Sequence, residues 1–135
     1  MRKLLPVLAV VAAIACSDSS STTGPQATIA GTWTLQTING QGLPFILDQT
    51  GSDKTEIVSD VVSISGTGSY TQTSTIRVTT NGVANTQSVA DAGSYTLNGT
   101  AVTFHSNSDG STTNAAWSGN TLTVTDAGLA AVYKR

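Results

Sequence analysis

The sequence predicts an all-β domain, an antiparallel up-and-down meander closing into a small eight-stranded barrel, with a two-sheet β-sandwich as the alternative. Three observations carry this expectation. First, hairpin signals punctuate the chain. Asn39-Gly40, Asn81-Gly82 and Asn98-Gly99 are strong two-residue turn dipeptides, and Asp109-Gly110, Gly119-Asn120 and Asp126-Ala127-Gly128 follow them. Second, serine and threonine fill 39 of the 135 positions and mostly alternate with apolar residues. The branched Cβ of threonine suits a pleated surface. Third, outside the N-terminal apolar run no window carries apolar residues at helical spacing. A meander of this length must dispose of its edges. Closing the ring does so completely, whereas a sandwich stacks two open sheets.

The elements follow from parity. The first strand spans 29–38, where Ile29, Trp33 and Leu35 share one face and Thr32, Thr34 and Gln36 the other. Segment 43–48 holds Leu43, Phe45 and Leu47, but 41–54 also reads as a loop. Strands at 55–65 and 68–79 are joined through Gly66-Thr67-Gly68. Next come 84–97 with Tyr95 and Leu97 inward, 100–106 with Val102 and Phe104 inward, and 112–118 with Ala115 and Trp117. Strand 121–125 contributes Leu122 and Val124, and 129–134 is last.

Ahead of this domain lies a different kind of segment. Met1-Arg2-Lys3 is basic, Leu4 to Ile14 is apolar apart from Pro6, and Ala13-Ile14-Ala15 places small residues before Cys16. This is the anatomy of an export signal. The run is about half the ~20 residues that a membrane-crossing helix needs. Ala13-Ile14-Ala15-Cys16 resembles the lipobox of bacterial lipoproteins, with Ala where Leu is usual at position 13. The resemblance implies cleavage before Cys16 and acylation of that residue. The alternative is a plain A-x-A cleavage that leaves a free thiol. Each buried acyl methylene contributes ~0.8 kcal/mol, so two or three chains would anchor a small domain durably. The expected organisation is a signal at 1–15, a lipidated cysteine and polar tether at 16–28, and the β domain at 29–135. Ser17 stands where the inner-membrane retention Asp of enteric lipoproteins would be, which favours an outer-membrane address.

With the signal removed, four basic residues (Lys54, Arg77, Lys134, Arg135) face eight acidic ones, a net charge of −4. Four scattered cations make no phosphate-tracking stripe, so nucleic acid is not an expected partner. Cys16 is the only cysteine, so no disulfide supports the fold and the apolar interior must do so alone.

Gly31-Thr32-Trp33 sets a G-x-W at the start of the first strand. The stretches running from Gly31 to Phe45, from Gly93 to Phe104 and from Ser118 to Val124 resemble small bacterial lipocalin-like domains, a calycin-type barrel often borne on lipoproteins. The resemblance covers most of 29–135. It implies that Trp33 packs at the closed end of the barrel beneath a basic side chain from the last strand, here Arg135 or Lys134.

Chemistry is sparse. The one histidine, His105, has the parity opposite to Phe104, and no G-x-S-x-G elbow accompanies it. One histidine and one cysteine do not make a zinc site. Asp48, Asp53, Glu56 and Asp60 gather around Lys54 without the spacing of a calcium loop, and read as a solvated face. No catalytic residue, metal or cofactor is therefore expected, and the protein is not read as an enzyme. The remaining candidates are aromatic. Phe45, Tyr70, Tyr95 and Phe104 would line an apolar cup entered near 41–54, with tyrosine hydroxyls orienting a ligand. In a filled barrel they are simply core, because eight strands either fill the interior or leave room for one small molecule. The first reading is thus an envelope lipoprotein that binds a small apolar ligand. The second is a structural or protein-interaction module, inhibitor-like, with a filled barrel. The sequence sets no oligomeric state.

Overall fold

The computed structural model describes residues 28–135. The signal, Cys16 and the tether up to residue 27 lie outside these residues. Nine strands make up the fold: β1 (Gly31–Ile38), β2 (Phe45–Thr50), β3 (Asp53–Ile64), β4 (Ser69–Thr80), β5 (Val83–Asn98), β6 (Ala101–Ser106), β7 (Thr112–Ser118), β8 (Thr121–Asp126) and β9 (Leu129–Lys134). No helix occurs among the described residues.

Each strand from β3 to β9 pairs antiparallel with the next, and β1 closes the ring from both sides. It pairs with β9 from Thr34↔Lys134 to Ile38↔Ala131, and with β3 from Gly31↔Ile64 to Thr34↔Val61. The result is a closed eight-stranded barrel plus one extra strand, and the open two-sheet sandwich is set aside. The extra strand is β2. It runs along the edge of β3 that β1 has left, from Phe45↔Ile57 to Thr50↔Asp53. Segment 41–54 is thus not merely a loop, but its strand stands outside the ring.

Two of the three Asn-Gly dipeptides form the expected turns, whereas Asn98 still pairs with Ala101 and the third turn is Gly99-Thr100. Asn39 and Gly40 have φ of 50° and 77°, and Asn81 and Gly82 have 52° and 79°. These are the paired left-handed residues of a tight turn.

Alternation turns apolar side chains into the ring. Trp33, Leu35, Val62, Ile64, Val102, Phe104, Leu122 and Tyr133 are all buried. Leu97 corrects the sequence reading. It shares the inward parity of Tyr95, yet it is 47% exposed because it lies next to the β5–β6 turn, at the end of the barrel.

The two ends differ. The end holding Gly31, Asn120 and Arg135 is plugged by side chains. At the other end the strands stop at unequal heights. β6 finishes at Ser106, opposite Gly93, while β5 continues back along the chain to Val83, paired only with β4. Ten residue steps from Gly93 to Val83, at about 3.3 Å each, carry the β4–β5 hairpin roughly 33 Å past that rim. With β2 and the first half of β3 it forms a four-stranded blade beside the barrel mouth. On the blade's outer face Glu56 is buried between Arg77 (2.8 Å) and Lys54 (3.0 Å). Bonding to Arg77 first and Lys54 second holds its carboxyl below the usual range.

Candidate functional site

The closed end is built from the first and last turns of the ring. Trp33 is fully buried and its Nε1–H donates to the Ile29 carbonyl at 2.9 Å. The Arg135 guanidinium carbon sits 4.6 Å from the centre of the indole. Its Nη1 donates to the carbonyls of Thr28 (2.6 Å) and Ala30 (2.9 Å), and Nη2 to that of Gly119 (3.2 Å). Of the two terminal cations Arg135 is therefore the one over Trp33, and the Lys134 ammonium bonds Thr121 instead.

The barrel is not filled. A cavity of about 240 Å3 opens at the blade end. Leu35, Val62, Phe104 and Leu122 make its apolar wall, and exposed Ser111, Asp126 and Ala127 lie at its mouth. Two of the four aromatics expected to line it do so. Tyr70 and Phe104 meet edge to face at 5.0 Å and 73°. Tyr95 packs on the far side of Phe104, at 6.3 Å, and its hydroxyl donates to the Ser65 carbonyl, bracing the β3–β4 turn rather than facing the cavity. Phe45 packs against the core from β2 and does not reach the cavity. His105 lines none of it.

Above the apolar wall runs a polar belt. Asp60 on β3, Gln72 on β4 and Asp91 on β5 sit on adjoining strands and all line the cavity. Asp91 is saturated. Its Oδ2 accepts from the Tyr70 hydroxyl at 2.8 Å, and its Oδ1 from Ser106 at 2.7 Å and Ser108 at 2.9 Å. Burial pushes its pKa up, but the bonds from Ser106, Tyr70 and Ser108 outweigh that and hold it below the ordinary value. Asp60 is different. Its Oδ2 accepts from Gln72 at 2.6 Å and from the Tyr133 hydroxyl at 2.9 Å, while its Oδ1 is buried with no partner. Burial dominates and raises its pKa.

The tyrosines respond to the same two carboxylates. Burial and then Asp91 push Tyr70 up to about 12, and burial and then Asp60 push Tyr133 upward. Both hydroxyls therefore stay protonated and act as donors.

The sequence reading placed Asp60 in a solvated acidic group around Lys54. The structure divides that group. Glu56 is buried under Arg77 and Lys54 on the outer face, whereas Asp60 points inward. A β-bulge between Ile57 and Ser59 shifts the alternation between the two. The inward signal was present, since Asp60 shares parity with Val62 and Ile64. Asp91 likewise shares parity with Gly93 and Tyr95. Among the described residues no cluster of three or more His, Cys, Asp or Glu side chains is disposed to hold a metal ion. No protein-family model matches the chain, and no curated protein matches it.

Proposed function

We propose that this protein is an exported envelope lipoprotein whose barrel binds one small ligand at its open end, in the manner of a lipocalin-like carrier. The observation that supports this best is the cavity itself. One end is plugged by Trp33 and Arg135, and the other opens to solvent past an apolar wall and a polar belt. A chamber with mainly apolar walls and a few convergent polar groups is the usual form of a small-molecule site. At about 240 Å3 it lies at or below the small end of such pockets. The anchor rests on the Ala13-Ile14-Ala15-Cys16 pattern alone.

Native mass spectrometry of the protein isolated from its own host tests both halves. The expected spectrum shows acyl mass on a chain beginning at Cys16, and a small co-purifying molecule that leaves on activation. An unmodified mass removes the anchor, and a ligand-free spectrum with no exchangeable small molecule removes the carrier.

A second reading, a protein-interaction module, draws on the blade. Ile46, Leu47, Val83 and Val89 are 42–63% exposed there, apolar side chains that a partner could cover.

A further inference from the structure

We propose that the ligand carries a protonated amine, whose ammonium pairs with the Asp60 carboxylate while its apolar body packs against Phe104 and Leu122. This deepens the carrier reading and rests on it.

Three observations support it. First, Asp60 lines the cavity and is 5% exposed, and its Oδ1 is buried in the wall without a partner. A buried carboxylate oxygen normally accepts at least one hydrogen bond, and leaving it bare is costly. Second, the cavity's charges have one sign. Asp60, Asp91 and Asp126 line it, and no Lys, Arg or His does. Third, the donors are already committed. The Tyr70 and Ser106 hydroxyls donate to Asp91, and the Tyr133 hydroxyl and Gln72 amide to Asp60. An anionic head would meet like charge and donors already turned away from it. An ammonium meets carboxylates with no cation beside them in the cavity wall, and a charge-assisted bond of this kind is the strong sort. The cavity's size suits one ring with a short chain.

The test compares two probes of the same skeleton, 2-phenylethylammonium and 2-phenylethanol, by amide NMR titration of the full chain. The ammonium is expected to shift the amides of Asp60, Phe104 and Tyr133 saturably, and to bind roughly tenfold more tightly than the alcohol, the factor one charged hydrogen bond supplies. Asp60→Asn keeps an oxygen for Gln72 and Tyr133, so it should retain alcohol binding and lose the preference. Should that variant misfold, the ratio measured on the unaltered protein decides alone. Equal affinities, or tighter binding of the alcohol, overturn the amine assignment and leave the carrier reading standing. No saturable cavity shift with either probe overturns both.

Discussion

Gly93 is where β5 leaves the ring for the blade, and it leaves no room for a side chain. It pairs with Tyr70 on β4 and with Ser106 on β6. A Cβ there would stand 1.9 Å from the His105 carbonyl oxygen and 2.9 Å from Tyr70 Cε1. The first neighbour is backbone and cannot swing aside, so Gly93→Ala must part β5 from β6 or tilt β5. Moving the Tyr70 ring also endangers its 2.8 Å bond to Asp91. Overpacking alone costs about 1–3 kcal/mol. One or two disturbed hydrogen bonds add about 1 kcal/mol each. A loss of about 3 kcal/mol or more is therefore expected, a large share of the ~5–15 kcal/mol that holds a typical domain. Urea unfolding followed by tryptophan fluorescence measures it. The control is Gly42→Ala, where nothing lies within 4 Å of the added carbon; it should fall within about 0.5 kcal/mol of the parent. If Gly93→Ala costs less than about 1 kcal/mol, the packing described for this corner is wrong.

Four further outcomes are expected. Trp33→Ala should cost ~3–5 kcal/mol, as large core deletions do. Arg135→Ala should cost only about 1–2 kcal/mol, the worth of an exposed cation over an indole plus its bonds to carbonyls; the same unfolding assay ranks the two, and the reverse order contradicts the plug. Ala127 holds φ at 47° beside Gly128 at 80°, a conformation that costs a non-glycine residue about 1 kcal/mol. Ala127→Asn, which restores the favoured turn pair, should raise stability by about that amount, and a lower melting temperature would count against the turn geometry. Asp60→Asn should be the more stable form at neutral pH, by on the order of 1 kcal/mol. The sign follows from burial. The folded pKa of Asp60 lies above the unfolded value of 3.8, so ionisation penalises the fold increasingly as pH rises through the folded value, and not at all well below 3.8. The advantage of the variant should thus shrink towards zero in acid, and an advantage independent of pH would refute the assignment.

Much of this was legible in the residues. Asn39-Gly40 and Asn81-Gly82 marked real turns because few residues accept two successive left-handed conformations. Trp33, Val102, Phe104 and Leu122 announced themselves by alternation, since one face of each strand is buried. Where neither face of a strand is buried the signal fails. β2 is exposed at five of its six positions, so Phe45–Thr50 carries no usable period, and the first half of β5 is exposed throughout. Nothing local in Val83–Asn98 says that the ring stops at Gly93 while the strand runs on. The belt was missed for another reason. Asp60 and Asp91 sit at inward parity, but an acidic residue at such a position is normally read as surface. Only the partners on β4, β6 and β9, distant in sequence, show that the carboxylates face inward. The bulge after Ile57 separated Asp60 from Glu56, which no count of spacing detects.

The account depends most on Asp60 being a buried carboxylate in the cavity wall. The direct measurement is a carbon-13 titration of its side-chain carboxyl, with and without 2-phenylethylammonium. Without the probe the midpoint should lie above the ordinary 3.8, because Tyr133 and Gln72 do not offset burial, and the neighbouring carboxylates Asp91 and Asp126 bring no positive charge. With the probe the midpoint should fall, since a cation stabilises the ionised form. A midpoint at or below 3.8 that ignores the probe would contradict the account.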